Sequence, residues 1–151
     1  MNEVTKKEFT HLKIHTQYSI CEGALRTSDL AKYCKINKIK AVGLCDSNNL
    51  CGALEFSEFI AKSKTQPIIG TQINIQYKGN RGKIPLFAKN LEGYKNLIKL
   101  SSKSFLEIKS DEEPHCKITD IEENYKGLIL LSGSFDGLIG KLFFKNLTDE
   151  I

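Results

Sequence analysis

The chain of 151 residues lacks any apolar run long enough to cross a membrane, and none of its five cysteines forms a C-x-x-C pair. A membrane-spanning helix needs about 20 consecutive apolar residues. Residues 1–8 are polar and mixed in charge, so they predict neither a secretory signal nor a lipid anchor. The cysteine spacing favours reduced, structural thiols over a disulfide or zinc framework. These absences predict a cytoplasmic protein without a membrane partner.

Two catalytic signatures are also missing. Residues 133–137 combine glycine and serine, but they lack the lysine and the spacing of a P-loop. None of Ser19, Ser47 and Ser132 lies in a recognisable nucleophile elbow with a His–Asp partner. The lysines between 95 and 109 indicate the solvent-exposed side of a helix. Too few aromatic residues lie between them for a nucleic-acid groove.

Charge and composition set only broad limits. There are 22 basic and 18 acidic residues, a net charge of +4, and 40% hydrophobic residues. That apolar fraction is enough for a core, and the length predicts one domain or part of a larger one. The small positive charge is a weak indication of an anionic partner.

Strand and helix patterns alternate along the chain. Continuously apolar runs at 41–45 and 128–131 are typical of strands buried on both faces. Further strands are predicted at 9–15, 66–77 and 84–88, and turn residues at 78–82 indicate a hairpin. Helical spacing of apolar residues predicts helices at 27–37, 53–64, 91–105, 118–125 and 135–144. This alternation predicts an α/β fold with a mainly parallel sheet.

Two local features carry separate predictions. Thr27 or Ser28 has the hydroxyl needed to cap the first helix by accepting from a free backbone N–H. His115 lies in the charged stretch 110–117, which we interpret as a loop with a solvated histidine.

His11, Lys13 and His15 alternate along the first predicted strand. Residues two apart on a strand point to the same face, so these three side chains are expected to project together. A His-x-His pair can hold a divalent metal, whereas a protonated lysine has no lone pair to offer. The face has the pattern of a metal site with a cation in one ligand position, although a single strand histidine is more often a structural residue.

Three predicted strands end in polar residues. The first ends at His15, the second at Asp46 and Ser47, and the third carries Gln72. In α/β folds the carboxyl ends of neighbouring parallel strands form the ligand site, so these residues are expected to converge. We hypothesise that the Lys13 ammonium pairs with Asp46 and partly replaces the charge of a metal.

Five segments of the chain carry a resemblance to a known family. Residues 9–19 (FTHLKIHTQYS), followed by Glu22, Gly23 and Ala24, resemble the opening of the PHP (polymerase and histidinol phosphatase) domain in alpha subunits of bacterial replicative DNA polymerases. Residues 41–52 and 67–72 resemble its second and third motifs. Residues 86–97 and 127–133 also match the alpha-subunit pattern and separate it from generic PHP phosphatases. The resemblance covers nearly the whole chain.

The resemblance implies a distorted (β/α) barrel with metals at the carboxyl ends of its strands. Residues 1–151 would form only the N-terminal portion of that domain, with the polymerase domains absent. An incomplete barrel leaves sheet edges and apolar surface open, so the chain is expected to pair or dimerise through them.

The resemblance also implies which positions once held metals. Lys13 and Ser47 stand where the family has histidines, and Gln72 stands where it has a glutamate. Only His15 and Asp46 match ligands of the family, so we expect neither a bound metal nor a catalytic residue in this chain. The degenerate metal-site positions are His11, Lys13, His15, Asp46, Ser47 and Gln72.

The parent protein implied by the resemblance is a DNA-directed DNA polymerase that uses Mg²⁺. This chain would have a structural role or dock the proofreading exonuclease subunit, with the rest of the alpha chain, the replisome and DNA as further partners. One alternative is an active metal-dependent PHP phosphoesterase that recruits His11, Glu22 or Glu55 as ligands. A second is a small binding module without enzymatic activity.

Overall fold

The structure, a computed structural model, describes residues 9–145 and 147. The expectation for residues 1–8 lies outside the described residues. The helices are α1 (Thr27–Ile36), α2 (Ala53–Lys62), α3 (Leu91–Leu106), α4 (Ile118–Asn124) and α5 (Leu138–Phe144). The strands are β1 (Ala41–Gly43), β2 (Asp46–Ser47), β3 (Gln66–Ile68), β4 (Gly70–Tyr77), β5 (Asn80–Ala88), β6 (Cys116–Lys117) and β7 (Leu128–Leu130). Among the described residues, no helix has the length and apolar character needed to cross a membrane.

The larger sheet has five strands and is mixed, which corrects the expectation of a mainly parallel sheet. Its order is β2-β4-β5-β7, and β6 also pairs with β4. The β4 pairings with β2 and β6 are parallel, whereas β5 is antiparallel to both β4 and β7. A separate two-stranded sheet joins β1 and β3 in parallel. The α/β class is confirmed, and the longest antiparallel pairing, between β4 and β5, arises where the chain returns directly through a hairpin.

The predicted hairpin is present, with a tighter turn and a longer second strand. Tyr77 pairs with Asn80, so only Lys78 and Gly79 lie in the turn. Their φ angles of 44° and 76° are both left-handed, as in the two-residue turns whose twist matches that of the flanking strands. Because the turn is this short, it fixes the pairing register of β4 and β5 along their length.

Two apolar clusters hold the elements together. One packs α3, α4 and α5 on the larger sheet, and the other packs α1 and α2 on β1. Phe56 and Ile60 on α2 and Leu97 and Leu100 on α3 are fully buried. Each such side chain contributes about 1.5–3 kcal/mol by leaving water, so the clusters fix both helix layers against the strands that form the site.

The segment 9–15 runs alongside β1 but does not form a regular strand. Ile14 makes an isolated parallel bridge with Leu44, and the backbone N–H of Gly43 donates to the His11 carbonyl at 2.8 Å. The Ile14 N–H donates to the Leu12 carbonyl at 3.2 Å, which closes a tight local turn. This turn interrupts the two-residue alternation on which the predicted common face depended.

The expected cap of α1 is wrong. The N-cap residue is Arg26, without a side-chain cap bond. Thr27 lies inside the helix, where its hydroxyl donates to Glu55 Oε1 at 2.5 Å. The hydroxyl therefore ties α1 to α2 instead of satisfying the helix end.

His115 is buried, which contradicts its predicted exposure. Only 5% of the residue is accessible. Its ring Nδ1 lies 2.9 Å from the Glu113 carbonyl, and its backbone N–H donates to the Ser104 carbonyl at 3.1 Å. These contacts hold the segment between α3 and β6, so the charged stretch 110–117 is fixed near its C-terminal end.

β7 is more exposed than its apolar sequence predicts. Ile129 and Leu130 are 48% and 42% accessible. β7 pairs with β5 alone in the part of the chain that the structure describes. Phe135, Phe143 and Phe144 are also exposed, and their rings contact one another.

Candidate functional site

The site is organised around Asp46, a fully buried carboxylate at the start of β2. Asp46 Oδ1 accepts from the Thr16 backbone N–H and from Ser19 Oγ, both at 2.6 Å. Asp46 Oδ2 accepts from Thr16 Oγ1 at 2.7 Å. All three donors belong to the loop 16–25. A buried donor that loses its acceptor is costly, so these three hydrogen bonds fix the loop on the sheet.

The hypothesised ion pair between Lys13 and Asp46 is wrong. The described residues contain no salt bridge between them, because neutral donors of the loop occupy both Asp46 oxygens. Asp46 has no accessible surface, whereas Lys13 lies at the wall of the neighbouring pocket. Asp46 therefore lies beneath the pocket and does not line it.

A second carboxylate, Glu22, reaches into the pocket from the same loop. Glu22 Oε2 accepts a short hydrogen bond from Ser47 Oγ, and Glu22 Oε1 accepts one from the Lys83 ammonium. Gln72 Nε2 donates to Ser47 Oγ at 2.7 Å and lies 3.4 Å from Glu22 Oε2. The structure thus brings Ser47 and Gln72 together as predicted, but around a glutamate and a lysine.

The pocket above this network has a volume of about 490 Å³. Its charged walls include both signs. The cations are Lys13, Arg81, Lys83 and Lys141, and the carboxylates are Glu22, Glu113 and Asp136.

The predicted site residues take four different positions relative to the pocket. Lys13, His15 and Gln72 line the pocket, Ser47 is bonded to Gln72 at its base, and Asp46 lies beneath. His11 is not among the lining residues. Its ring packs edge-on against Phe9 with centroids 4.7 Å apart. The expectation that His11 shares a face with Lys13 and His15 is therefore wrong, because of the turn between Leu12 and Ile14.

Glu55, an alternative ligand, is committed elsewhere. It accepts from Thr27 Oγ1 at 2.5 Å and from the Tyr18 hydroxyl. These bonds lower the pKa of Glu55, the one from Thr27 most. Glu55 clamps the loop 16–25 to α1 and α2. Of the three alternative ligands only Glu22 lies in the pocket.

The titrations of the pocket groups follow from these contacts. The hydrogen bond from Lys83, followed by the one from Ser47, lowers the pKa of Glu22. Burial lowers the pKa of His15, Glu22 partly opposes this effect, and Lys13 adds to the lowering. The pocket at neutral pH therefore holds an ionised Glu22 and an uncharged His15.

This donor set does not fit a divalent metal. Divalent cations select sites with several carboxylate or imidazole ligands. In the described part of the chain no three His, Cys, Asp or Glu side chains form such a group. His15 and Glu22 stand beside the Lys13 and Lys83 ammoniums. Gln72 Oε1 is buried without a hydrogen-bond donor, but one neutral oxygen supplies none of the missing charge.

Sequence reasoning missed the pairing of Glu22 with Lys83. In the sequence, Glu22 stands out only within the family-like opening and as an alternative metal ligand, and no sequence prediction includes Lys83. The signal for Lys83 was present in the hairpin, because the two-residue turn places Lys83 opposite Asn74. Asn74 and Gln72 are two apart on β4 and share a face, so Lys83 belongs to the same face as Gln72.

The family model for the PHP domain matches residues 11–151. The DNA polymerase III subunit alpha of Rickettsia bellii is 38% identical over 95% of this chain, and that of Caulobacter vibrioides is 35% identical over 99%. The Haemophilus influenzae subunit is 32% identical over 97% of the chain. This chain spans only 12–14% of the length of these three relatives.

Two solved structures resemble this chain in part. A protein described as a metal-dependent phosphoesterase from Bifidobacterium adolescentis has a TM-score of 0.48 and 15% identity, covering 63% of this chain and 34% of its own. An amidohydrolase from Chromobacterium violaceum has a TM-score of 0.49 and 14% identity, covering 62% of this chain and 34% of its own. Both likenesses are partial.

The Asp46 anchor predicts a large effect of its removal. Asp46→Ala leaves three loop donors without an acceptor in a buried site, and we expect a loss of at least about 3 kcal/mol in the free energy of unfolding. Asp46→Asn should cost less, because its amide oxygen still accepts from the loop. Urea unfolding measures both, with the exposed Asp111→Ala as a control expected within about 0.5 kcal/mol. Equal effects of Asp46→Ala and the control would contradict the anchor.

The lowered pKa of Glu22 predicts a specific dependence on pH. A depressed pKa in the folded state contributes stability above the unfolded value, and the contribution is lost as pH falls through the folded value. The unfolding free energy of the unaltered chain should therefore exceed that of Glu22→Gln at pH 6. This difference should shrink below about pH 4.3, the ordinary glutamate pKa. Glu122→Gln, at an exposed position on α4, is the control. A difference that does not change with pH would refute the assignment.

Proposed function

This chain belongs to the PHP domain family, and we propose that residues 1–151 are the N-terminal PHP region of a bacterial replicative DNA polymerase alpha subunit. The support is the similarity to named alpha subunits along nearly the whole chain, at 32–41% identity. In this proposal the polymerase domains lie outside the chain, which is a small part of a much longer polypeptide.

We propose further that the PHP metal site is degenerate and that this region has no phosphoesterase activity of its own. The single observation that carries this is the engagement of Glu22 by Ser47, Gln72 and Lys83. The family pattern implies metal ligands at two of these three positions. Here an amide and a hydroxyl stand there, and an ammonium provides the positive charge. Hydrolysis that depends on metal-bound water needs ligands that this arrangement does not offer.

The proposed activity belongs to the parent protein. It is DNA-directed DNA synthesis, for which Mg²⁺ held by paired carboxylates supplies the two-metal chemistry. Those carboxylates would lie in the polymerase domains. The partners in this account are the rest of the alpha chain, the other replisome proteins and DNA, in the cytoplasm where bacterial chromosomes are copied.

The contribution of this region would be structural. Among the described residues, the edge strand β7 and the aromatic side chains Phe135, Phe143 and Phe144 are exposed apolar surface. Exposed apolar surface of this kind is typical of interfaces, and the far greater length of the relatives supports the remainder of the alpha chain as what covers it. Docking of the proofreading exonuclease subunit is the second structural role that we propose, from the family resemblance.

Metal binding tests the degenerate site. We expect calorimetry with Mn²⁺ and Zn²⁺ to show no stoichiometric binding by the unaltered chain, since the pocket lacks ligand charge. The variant Lys13→His, Ser47→His, Gln72→Glu restores the residue types of the family pattern and is expected to gain binding. Tight binding by the unaltered chain would overturn the proposal and favour the phosphoesterase.

The gene itself tests the polymerase assignment. We expect the reading frame to continue past codon 151 into a region that encodes polymerase domains with paired catalytic carboxylates. Sequencing the locus downstream decides the matter. A stop codon at this point, with no polymerase gene following, would favour a small binding module.

A further inference from the structure

We propose that the Lys83 ammonium is a built-in replacement for a divalent cation, holding the Glu22 carboxylate and its loop in the pocket. The inference rests on the proposed function, because it assumes that the family's metal site lay here. In this inference the Lys83 ammonium carries the positive charge, and Glu22 is the carboxylate that it neutralises.

The Glu22 carboxylate exchanges part of its hydration for contacts with the chain. It contacts Ser47 and Gln72, and 36% of its side chain remains exposed. Moving a charge out of water is costly unless an opposite charge or strong donors replace the lost hydration. The Lys83 side chain, 33% exposed, supplies that charge by direct contact.

The backbone delivers Lys83 to this point. β5 carries it opposite Asn74, on the face of the sheet that also bears Gln72. The two-residue turn at Lys78 and Gly79 sets this register. A slip by one residue would turn Lys83 to the opposite face, so the position of the ammonium is determined by the hairpin.

The loop delivers Glu22 with similar rigidity. The backbone N–H groups of Glu22 and Gly23 both donate to the Ser19 carbonyl, at 3.0 and 2.9 Å. A Cβ on Gly23 would lie 2.1 Å from the Thr16 carbonyl oxygen, so only glycine fits this close approach. Cys21 has a left-handed φ of 63°. The loop is thus a compact turn, fixed on Asp46, that projects Glu22 toward the β5 lysine.

The other cations of the pocket have different contacts. Lys141 donates to the Arg81 carbonyl at 3.0 Å, and the Arg81 guanidinium lies 3.4 Å from Glu112. Among the described residues, Lys13 has no carboxylate within salt-bridge distance. Lys83 is therefore the cation that neutralises Glu22, and a metal would have to displace it to reach that carboxylate.

A double-mutant cycle tests the pairing. Lys83→Met and Glu22→Gln are each expected to lower the urea midpoint of unfolding in the presence of a chelator. The double variant should fall no lower than the worse single variant, because the two residues act as one unit. Lys141→Met, in the same pocket, is the matched control and should add independently to Glu22→Gln. Independent addition for Lys83 and Glu22 would overturn the proposal.

Rescue by metal distinguishes a cation replacement from an ordinary ion pair. In Lys83→Met the ammonium is gone, while His15 and Glu22 still line the pocket. We expect millimolar Mn²⁺ to restore part of the lost midpoint in this variant, and not in the double variant with Glu22→Gln or in Lys141→Met. Coupling without rescue would overturn the replacement role.

The same measurements separate this inference from the proposed function. Stabilisation of the unaltered chain by Mn²⁺ would contradict the degenerate site, whatever the cycle shows. If Mn²⁺ does not stabilise the unaltered chain and the effects of Lys83→Met and Glu22→Gln add independently, the degenerate site is still supported. Only the role of Lys83 is then refuted.

Discussion

The buried Asp46 carboxylate is the constraint on which the rest of the site depends. Its three short hydrogen bonds all reach one loop, which follows the irregular segment beside β1. Because that loop supplies Glu22, the buried acid determines indirectly what stands in the pocket. Glu55 reinforces the arrangement by accepting from Tyr18 in the loop and from Thr27 on α1. A loop held at several points can keep a charged side chain in place.

The polar network above Asp46 differs from a metal centre in its charge. A metal centre concentrates negative ligands, whose mutual repulsion the ion overcomes. Here Ser47 and Gln72 are neutral, and the single carboxylate among them is matched by a single ammonium. Glu22 and Lys83 thus balance each other's charge within the chain. Such a site suits the structural role that we propose for this region.

The sequence predicted most elements and the convergence of Ser47 and Gln72, since these follow from apolar periodicity and from polar residues at strand ends. It did not predict that His11 would turn away, because a local turn at Leu12–Ile14 replaces the regular strand. It also missed the burial of His115 and the exposure of β7, which depend on tertiary neighbours. The hypothesis of an ammonium in place of a metal named Lys13, whereas the lysine that contacts a pocket carboxylate is Lys83. The pairing register of the hairpin, rather than proximity in sequence, decides which lysine lies next to the pocket carboxylate.

Anomalous diffraction from crystals of the unaltered chain grown with Mn²⁺ tests the central claim most directly. It locates bound metal and side chains in one experiment. We predict no anomalous peak among His15, Glu22 and Asp46, with the Lys83 ammonium within hydrogen-bond distance of Glu22. A peak ligated by these three residues, with Lys83 swung away from Glu22, would contradict the account.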